Sequence, residues 1–158
     1  MVYKKNYIIK MDYLTRPVAY LDGNDFDDEG NIINPEIPKD KPVFMMFQAN
    51  FCGFCKIAKP DFQQFAEKNP NFFVATIQSD SNVPEVSKLK NKINKIYPNL
   101  IGFPSYLIYA KGKRIIYNGG RSYTDLQAFA DGLDDYIKAI DTAPTPQPPQ
   151  ILESPPSA

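Results

Sequence analysis

A continuous apolar run, Pro42-Val-Phe-Met-Met-Phe-Gln-Ala49, stands just ahead of a segment from Gly53 to about Lys68 in which Phe54, Ile57, Ala58, Phe62, Phe65 and Ala66 follow helical spacing. A run without polar alternation suits a central strand buried on both faces. The pattern then repeats. Asn71 to Ile77 predicts a second buried strand, and Val83 to Tyr97 carries Val86, Leu89, Ile93 and Ile96 on one helical face. Ser105 to Ala110 and Lys113 to Asn118 predict two strands joined by Lys111-Gly112, a tight hairpin signal. Val18 to Leu21 is a short strand ahead of these. A last helix is expected from about Ser122 to Ile140, apolar at Leu126, Phe129, Ala130, Leu133 and Ile137, with Ser122 or Thr124 to cap it. This order predicts an α/β class with a central mixed sheet flanked by helices.

Composition narrows what such a chain can do. At 158 residues one domain is expected, and two cysteines three apart give no disulfide framework, so apolar burial must hold the fold. Lys plus Arg and Asp plus Glu each number 18, a balance that argues against nucleic acid or an anionic membrane as the main partner. The absence of His removes the usual general base, the Cys–His nucleophile pair and the commonest metal ligand. No apolar run approaches the ~20 residues of a membrane span. The start, MVYKKNYIIKMDYLTRP, is broken by charges and does not read as a secretory signal. The domain is expected over residues 18–141. Residues 1–17 form an extension whose YIIKMDYL segment suits an edge strand or a short helix, and the proline-rich 142–158 reads as a disordered tail.

Asp25, Asp27, Glu29, Asn31 and Glu36, with Gly30 and Ile32, fall at the spacing of a calcium-binding loop. That loop needs a helix on each side, and Pro35, Pro38 and Pro42 exclude the second one. An acidic surface loop without metal is the expectation.

Chemistry concentrates in Phe51-Cys52-Gly53-Phe54-Cys55-Lys56, between the predicted strand and helix. Cys52 falls at the helix start, where unpaired amides and the macrodipole favour an anion over its neutral form, so this sulfur is expected to be the nucleophile. Cys55 lies one turn later on the same face, in reach of Cys52, as a resolving thiol. Zinc would need two further ligands, from a second chain or from carboxylates. Inert buried thiols would not be expected at an exposed strand-to-helix corner.

The run FCGFCKIAKPDF, with Pro60 five residues after Cys55, resembles the active-site segment of thioredoxin-fold proteins, and within them the protein disulfide isomerase-like branch. Ile-Gly-Phe-Pro-Ser-Tyr-Leu-Ile-Tyr at 101–109 is similar to that family's cis-proline segment, and Tyr117-Asn-Gly-Gly-Arg-Ser122 to the stretch leading into its last helix. The resemblance covers about residues 18 to 140. It implies a thioredoxin fold and a thiol–disulfide oxidoreductase, with Cys52 attacking and Cys55 resolving. It also implies a cis Phe103–Pro104 bond facing the sulfurs, and a substrate groove of Phe51, Gly53, Phe54, Phe103, Pro104 and Gly119. The backbone of Phe103 would pair with an extended substrate segment. No cofactor beyond the Cys52–Cys55 redox disulfide is implied. The expected partners are protein thiols or disulfides and a reductant or oxidant, with the chain acting as a monomer.

Departures accompany the likeness. Met46 stands where the family has a buried carboxylate, and Thr76 where its lysine partner would be; losing both together avoids an unpaired buried charge. Proton transfer at Cys55 would then use water. The Trp usual near the motif is missing, and Phe51 precedes Cys52. Phe54 replaces the isomerase branch's His, so a less oxidising pair is expected. Residues 22–41 lack the pattern of the family's first helix, and the connection from Asp80 to Ile101 is longer than usual. A second class therefore stands beside the enzyme: a client-binding module using the apolar groove with little or no catalysis. Cytoplasmic placement is expected, while richness in Asn, Ile, Lys and Tyr also suits a large DNA virus product packaged in a virion.

Overall fold

The computed structural model describes residues 13–81, 84–86, 88, 89, 92 and 102–142. The chain forms two compact units, Met1–Leu126 and Gln127–Ala158. The first contains β1 (Ala19–Tyr20), β2 (Val43–Gln48), α1 (Gly53–Lys68), β3 (Phe73–Gln78), β4 (Ser105–Ala110) and β5 (Lys113–Tyr117). These strands make one sheet in the order β1-β3-β2-β4-β5. β3 runs parallel to β1 and β2, while β4 is antiparallel to both β2 and β5, so the sheet is mixed.

β2 lies at the centre and every one of its residues is buried, as its unbroken apolar run demands. Because side chains alternate across a strand, the two halves of that run enter different layers. Phe44 meets the rings of Phe62 and Phe65 from α1, at 6.1 and 5.1 Å between centroids, together with Tyr106 and Tyr117 from β4 and β5. Val43, Met45 and Phe47 enter the opposite layer with Ala75, Ile77 and Leu107.

The helical stripe that α1 buries is Cys55, Ala58, Lys59, Phe62, Gln63, Phe65 and Ala66. Phe54 and Ile57, apolar and helically spaced in the sequence, lie at the flank of this stripe and are 67% and 66% exposed. Lys59 and Gln63 are buried in their stead. Gln63 accepts from the Thr15 amide at 2.9 Å and donates to the carbonyls of Thr15 and Arg16, tying the end of the N-terminal extension to α1. The reading of the extension's YIIKMDYL segment falls largely outside the described residues.

Among the described residues no α-helix precedes β2. A single turn at Gly23–Asp25 opens an irregular segment that sends Phe26 and Ile37 into the core, with Ile32 packed against it. Its acidic side chains stabilise its own turns. Asp27 accepts from the amides of Glu29 and Asn31 and from the Asn31 side chain, contacts that lower its carboxyl, with the Asn31 amide first. Asp25 accepts from the Asp22 amide and the Asn34 side chain. Among the described residues no group of three or more His, Cys, Asp or Glu is placed to hold a metal ion.

Residues 84–86, 88, 89 and 92 are helical, with Val86 and Leu89 buried; the rest of the helix expected over Val83 to Tyr97, Ile93 and Ile96 included, lies outside the described residues. Gly23 touches this segment closely: a Cβ there would stand 2.5 Å from the Glu85 carbonyl oxygen. The β4–β5 turn places Lys111 and Gly112 at φ of 51° and 76°, the left-handed region that a two-residue hairpin turn requires.

The single helix expected from about Ser122 to Ile140 is instead two, α2 (Tyr123–Asp131) and α3 (Leu133–Thr142). The break falls at Gly132, whose amide is shared between the carbonyls of Ala128 and Phe129 at 3.2 Å each. Glycine there weakens helical continuity. Ser122 caps α2 by accepting from the Asp125 amide. Within the second unit Leu133 and Ile137 are buried, and Phe129 and Tyr136 stack edge-on. Among the described residues no helix is long and apolar enough to cross a membrane. The tail from 143 lies outside the described residues.

Candidate active site

Strand register brings the distant segments of the site together. β2 and β3 are parallel, so the loop after Gln48 and the residues after Gln78 emerge at one end of the sheet. β4 is antiparallel to β2, with Ser105 opposite Phe47, so the residues just before β4 arrive at that same end. Cys52 and Phe103 therefore meet although 51 positions separate them.

Cys52 is the N-cap of α1, in extended conformation, and its Sγ accepts the Cys55 amide at 3.3 Å. A cap sulfur of this kind takes one of the helix's unpaired first-turn donors. The Cys52 thiol in turn donates to the Phe103 carbonyl at 3.3 Å. Cys52 is half-buried and Cys55 is buried; both are free thiols. The Phe103–Pro104 peptide bond is cis, as is Arg16–Pro17.

Burial pushes the Cys55 thiol up to about 12 from an ordinary 9.0. A hydrogen bond from the Ala49 backbone opposes that rise, the neighbouring Cys52 sulfur adds to it, and the charge of Lys59 opposes it. Lys59 is 0% exposed, and its Nζ donates to Asn50 Oδ1 at 3.2 Å. Asp80, just beyond β3, accepts from the amides of Asn50 and Phe51 at 2.9 and 3.3 Å and so holds the loop in front of Cys52.

Met46, six residues before Cys52, is buried and uncharged, and pairs in register with Thr76 on β3. The Thr76 hydroxyl donates to the Met46 carbonyl at 2.8 Å, so the polar atom at that position is satisfied within the sheet. Tyr106 lies on the other side of Met46, across from it in β4. Among the described residues its buried phenol has no hydrogen-bond partner, and burial raises it well above the ordinary tyrosine value.

The expected groove residues divide between two places. Phe51, 75% exposed, and Phe54 stand out from the surface around Cys52, and Phe51 meets Phe103 edge-on at 6.4 Å. Gly53 opens the helix between them, with no heavy atom within 4 Å of where a Cβ would sit. Phe103, Pro104 and Gly119 instead line a cavity of about 230 Å³ with Ser105, Tyr106, Asn118 and Arg121. Gly119 is there for space, since a Cβ would stand 2.5 Å from the Tyr117 hydroxyl.

Sequence reasoning missed Ile57, Lys59, Asn50 and Asp80. Lys59 carried a signal, a cation inside the apolar stripe four residues after Cys55. Asp80 and Asn50 carried none, because their contact depends on two strand ends lying side by side.

Comparison with known proteins agrees with this geometry. The family model described as Thioredoxin matches residues 25–132. Thioredoxin-like protein 453L of Invertebrate iridescent virus 6 is 39% identical over 135 residues, covering 76% of this chain and 96% of that protein. Protein disulfide-isomerase A3 of Gallus gallus is 29% identical over 120 residues, 72% of this chain but 20% of the isomerase. Among solved structures, chloroplastic thioredoxin z superposes with a TM-score of 0.56 at 18% identity, over 78% of this chain and 99% of that one. The chain belongs to the thioredoxin family, and its mixed five-stranded sheet with flanking helices is the thioredoxin fold.

Proposed function

We propose that this thioredoxin-family chain exchanges disulfides with protein substrates through Cys52 and Cys55. One observation carries the reading: a half-buried sulfur at a helix start, 3.3 Å from the Phe103 carbonyl, with a second, buried sulfur one helical turn behind it. In the first step Cys52, as thiolate, attacks one sulfur of a substrate disulfide. A Cys52–substrate disulfide forms and the other substrate sulfur leaves with the electron pair and takes a proton. Cys55 then attacks Cys52, closing the Cys52–Cys55 disulfide and releasing the reduced substrate. The amide of Cys55, already aimed at Cys52 Sγ, stabilises negative charge at that atom. The backbone of Phe103 offers an edge for an extended substrate segment, and Phe51 and Phe54 supply apolar contact around it.

Phe54, a ring without charge, occupies the position between the cysteines, which favours a less oxidising pair than an isomerase's. Equilibration of the pair against a glutathione series measures this directly. The partner that recycles the disulfide is a protein reductant or oxidant. On this reading the chain works in the cytoplasm, or in the virion for a viral product, as a monomer with no added cofactor.

The exposed Phe51, Phe54 and Ile57 favour a second reading, a client-binding module with little catalysis. Insulin reduction by dithiothreitol separates the two. The chain is expected to accelerate precipitation and Cys52→Ser to return it to the uncatalysed rate; equal rates would leave only the binding module.

A further inference from the structure

We propose that Lys59 is a positioning residue for the resolving sulfur: its buried side chain, one turn beyond Cys55 on the inner face of α1 and anchored by Asn50, places a cation at the floor of the site that favours the Cys55 thiolate as it attacks. The inference rests on the disulfide-exchange reading above and assigns it a residue.

Residues four apart on a helix lie one above the other on the same face, so Cys55 and Lys59 share the buried stripe of α1. The ammonium is fixed in place. One acceptor, Asn50, sits in the loop that delivers Cys52, and that loop is held by Asp80. The cation therefore lies under the segment that carries both sulfurs. Burying an ammonium costs several kcal/mol unless neighbours compensate, so packing by itself would favour an alkyl side chain here. The nearby buried residues Ala58, Phe62 and Met46 are of that apolar kind.

Groups from three elements among the described residues face the Cys55 sulfur. Cys52 and Lys59 approach from α1 and its cap, the Ala49 backbone from the loop after β2, and the Tyr106 phenol from β4. Arg121 and Asp61 act on Tyr106. Of the side chains facing the sulfur, Lys59 opposes its burial, whereas Cys52 and Tyr106 offer no positive charge.

In the resolving step the Cys55 thiol gives its proton to water and its sulfur forms the bond to Cys52. The bond from Cys52 to the substrate sulfur breaks, and that sulfur leaves with the electron pair and takes a proton from water. The two protein thiols are oxidised as the substrate disulfide is reduced. Negative charge passes from Cys55 across Cys52 to the leaving sulfur, and a fixed cation lowers the cost of starting it on Cys55.

A dithiobis-nitrobenzoate probe reports both steps, because one coloured thiol is released when Cys52 attacks and a second when Cys55 resolves. Lys59→Met keeps the volume and removes the charge. If the charge is worth a tenfold change in thiolate, each remaining thiolate is about threefold more nucleophilic, so the second phase is expected to slow roughly threefold. Its pH profile should move upward while the first phase keeps its rate. Asn50→Ala, which removes an acceptor of the ammonium and leaves the helix intact, should slow the second phase in the same direction and decides the matter if Lys59→Met does not fold. Unchanged second phases, or equal slowing of both phases with no shift in the pH profile, would overturn the role of Lys59. Absence of the first phase in the unaltered chain would instead overturn the exchange reading.

Discussion

The two faces of the sheet are sealed by different means. On one, α1 lays a regular helical stripe over Phe44, Tyr106 and Tyr117, and rings meet edge-on from three elements. On the other, the irregular segment before β2 inserts Phe26 and Ile37 with a single helical turn of its own, beside Leu89 from the helical residues 84–86, 88 and 89. Yet Phe44 and Phe26 are equally buried, at 0% and 1% exposed. An irregular segment can therefore bury a ring as fully as a helix does. Regularity is needed to aim side chains, and the sulfurs sit on the helical element.

Mutations can break this comparison. Phe44→Ala removes a ring that touches five others in a layer with no freedom to collapse, and the cost should be about 3–5 kcal/mol. Phe26→Ala should cost less, about 2–3 kcal/mol, because the irregular segment can close on the space. Denaturant unfolding measures both, and equal losses would show the loop to be as rigid as the helix.

The Cys55 thiol sharpens the contrast on the helical face. It keeps its proton to about pH 12 in the fold, whereas in the unfolded chain it ionises near the ordinary 9.0. The folded state thus binds more protons between those limits, and stability must fall as pH rises through that window. Each pH unit contributes at most about 1.4 kcal/mol. Thermal unfolding of the reduced protein should show this decline, and Cys55→Ala should lessen it, most clearly between pH 9 and 10, because burial also raises the Tyr106 and Tyr109 phenols and keeps part of the decline above pH 10.

The smallest effect is expected at Tyr106→Phe. Its hydroxyl is buried without a partner among the described residues, so removal should change stability by less than about 0.5 kcal/mol or raise it. A loss above 1 kcal/mol would reveal a polar partner for that hydroxyl.

Legibility in the sequence follows the same divide. β2, β3, α1 and the β4–β5 hairpin could be read because each carries a local signal: an unbroken apolar run, a helical period, or the Lys111-Gly112 turn. The segment holding Phe26 and Ile37 has no period, and its burial is decided by the sheet it meets. The break at Gly132 was hidden by apolar spacing that continues through it. At the site, the one-turn spacing of Cys52 and Cys55 is local and was legible. The meeting of Cys52 with Phe103 came only through family resemblance, since strand order creates it. Lys59 escapes notice in the sequence because lysine is usually exposed.

Phe51, Phe54 and Ile57 leave hydrocarbon uncovered around a half-buried sulfur, on a chain of zero formal net charge. Encounters at that rim are then governed by the release of water from hydrocarbon rather than by long-range attraction. Capture should weaken in the cold and change little with ionic strength. A rim of that kind would favour partners by how much greasy chain they have let slip from their own interior, and a partly unfolded polypeptide offers more of it than a finished one.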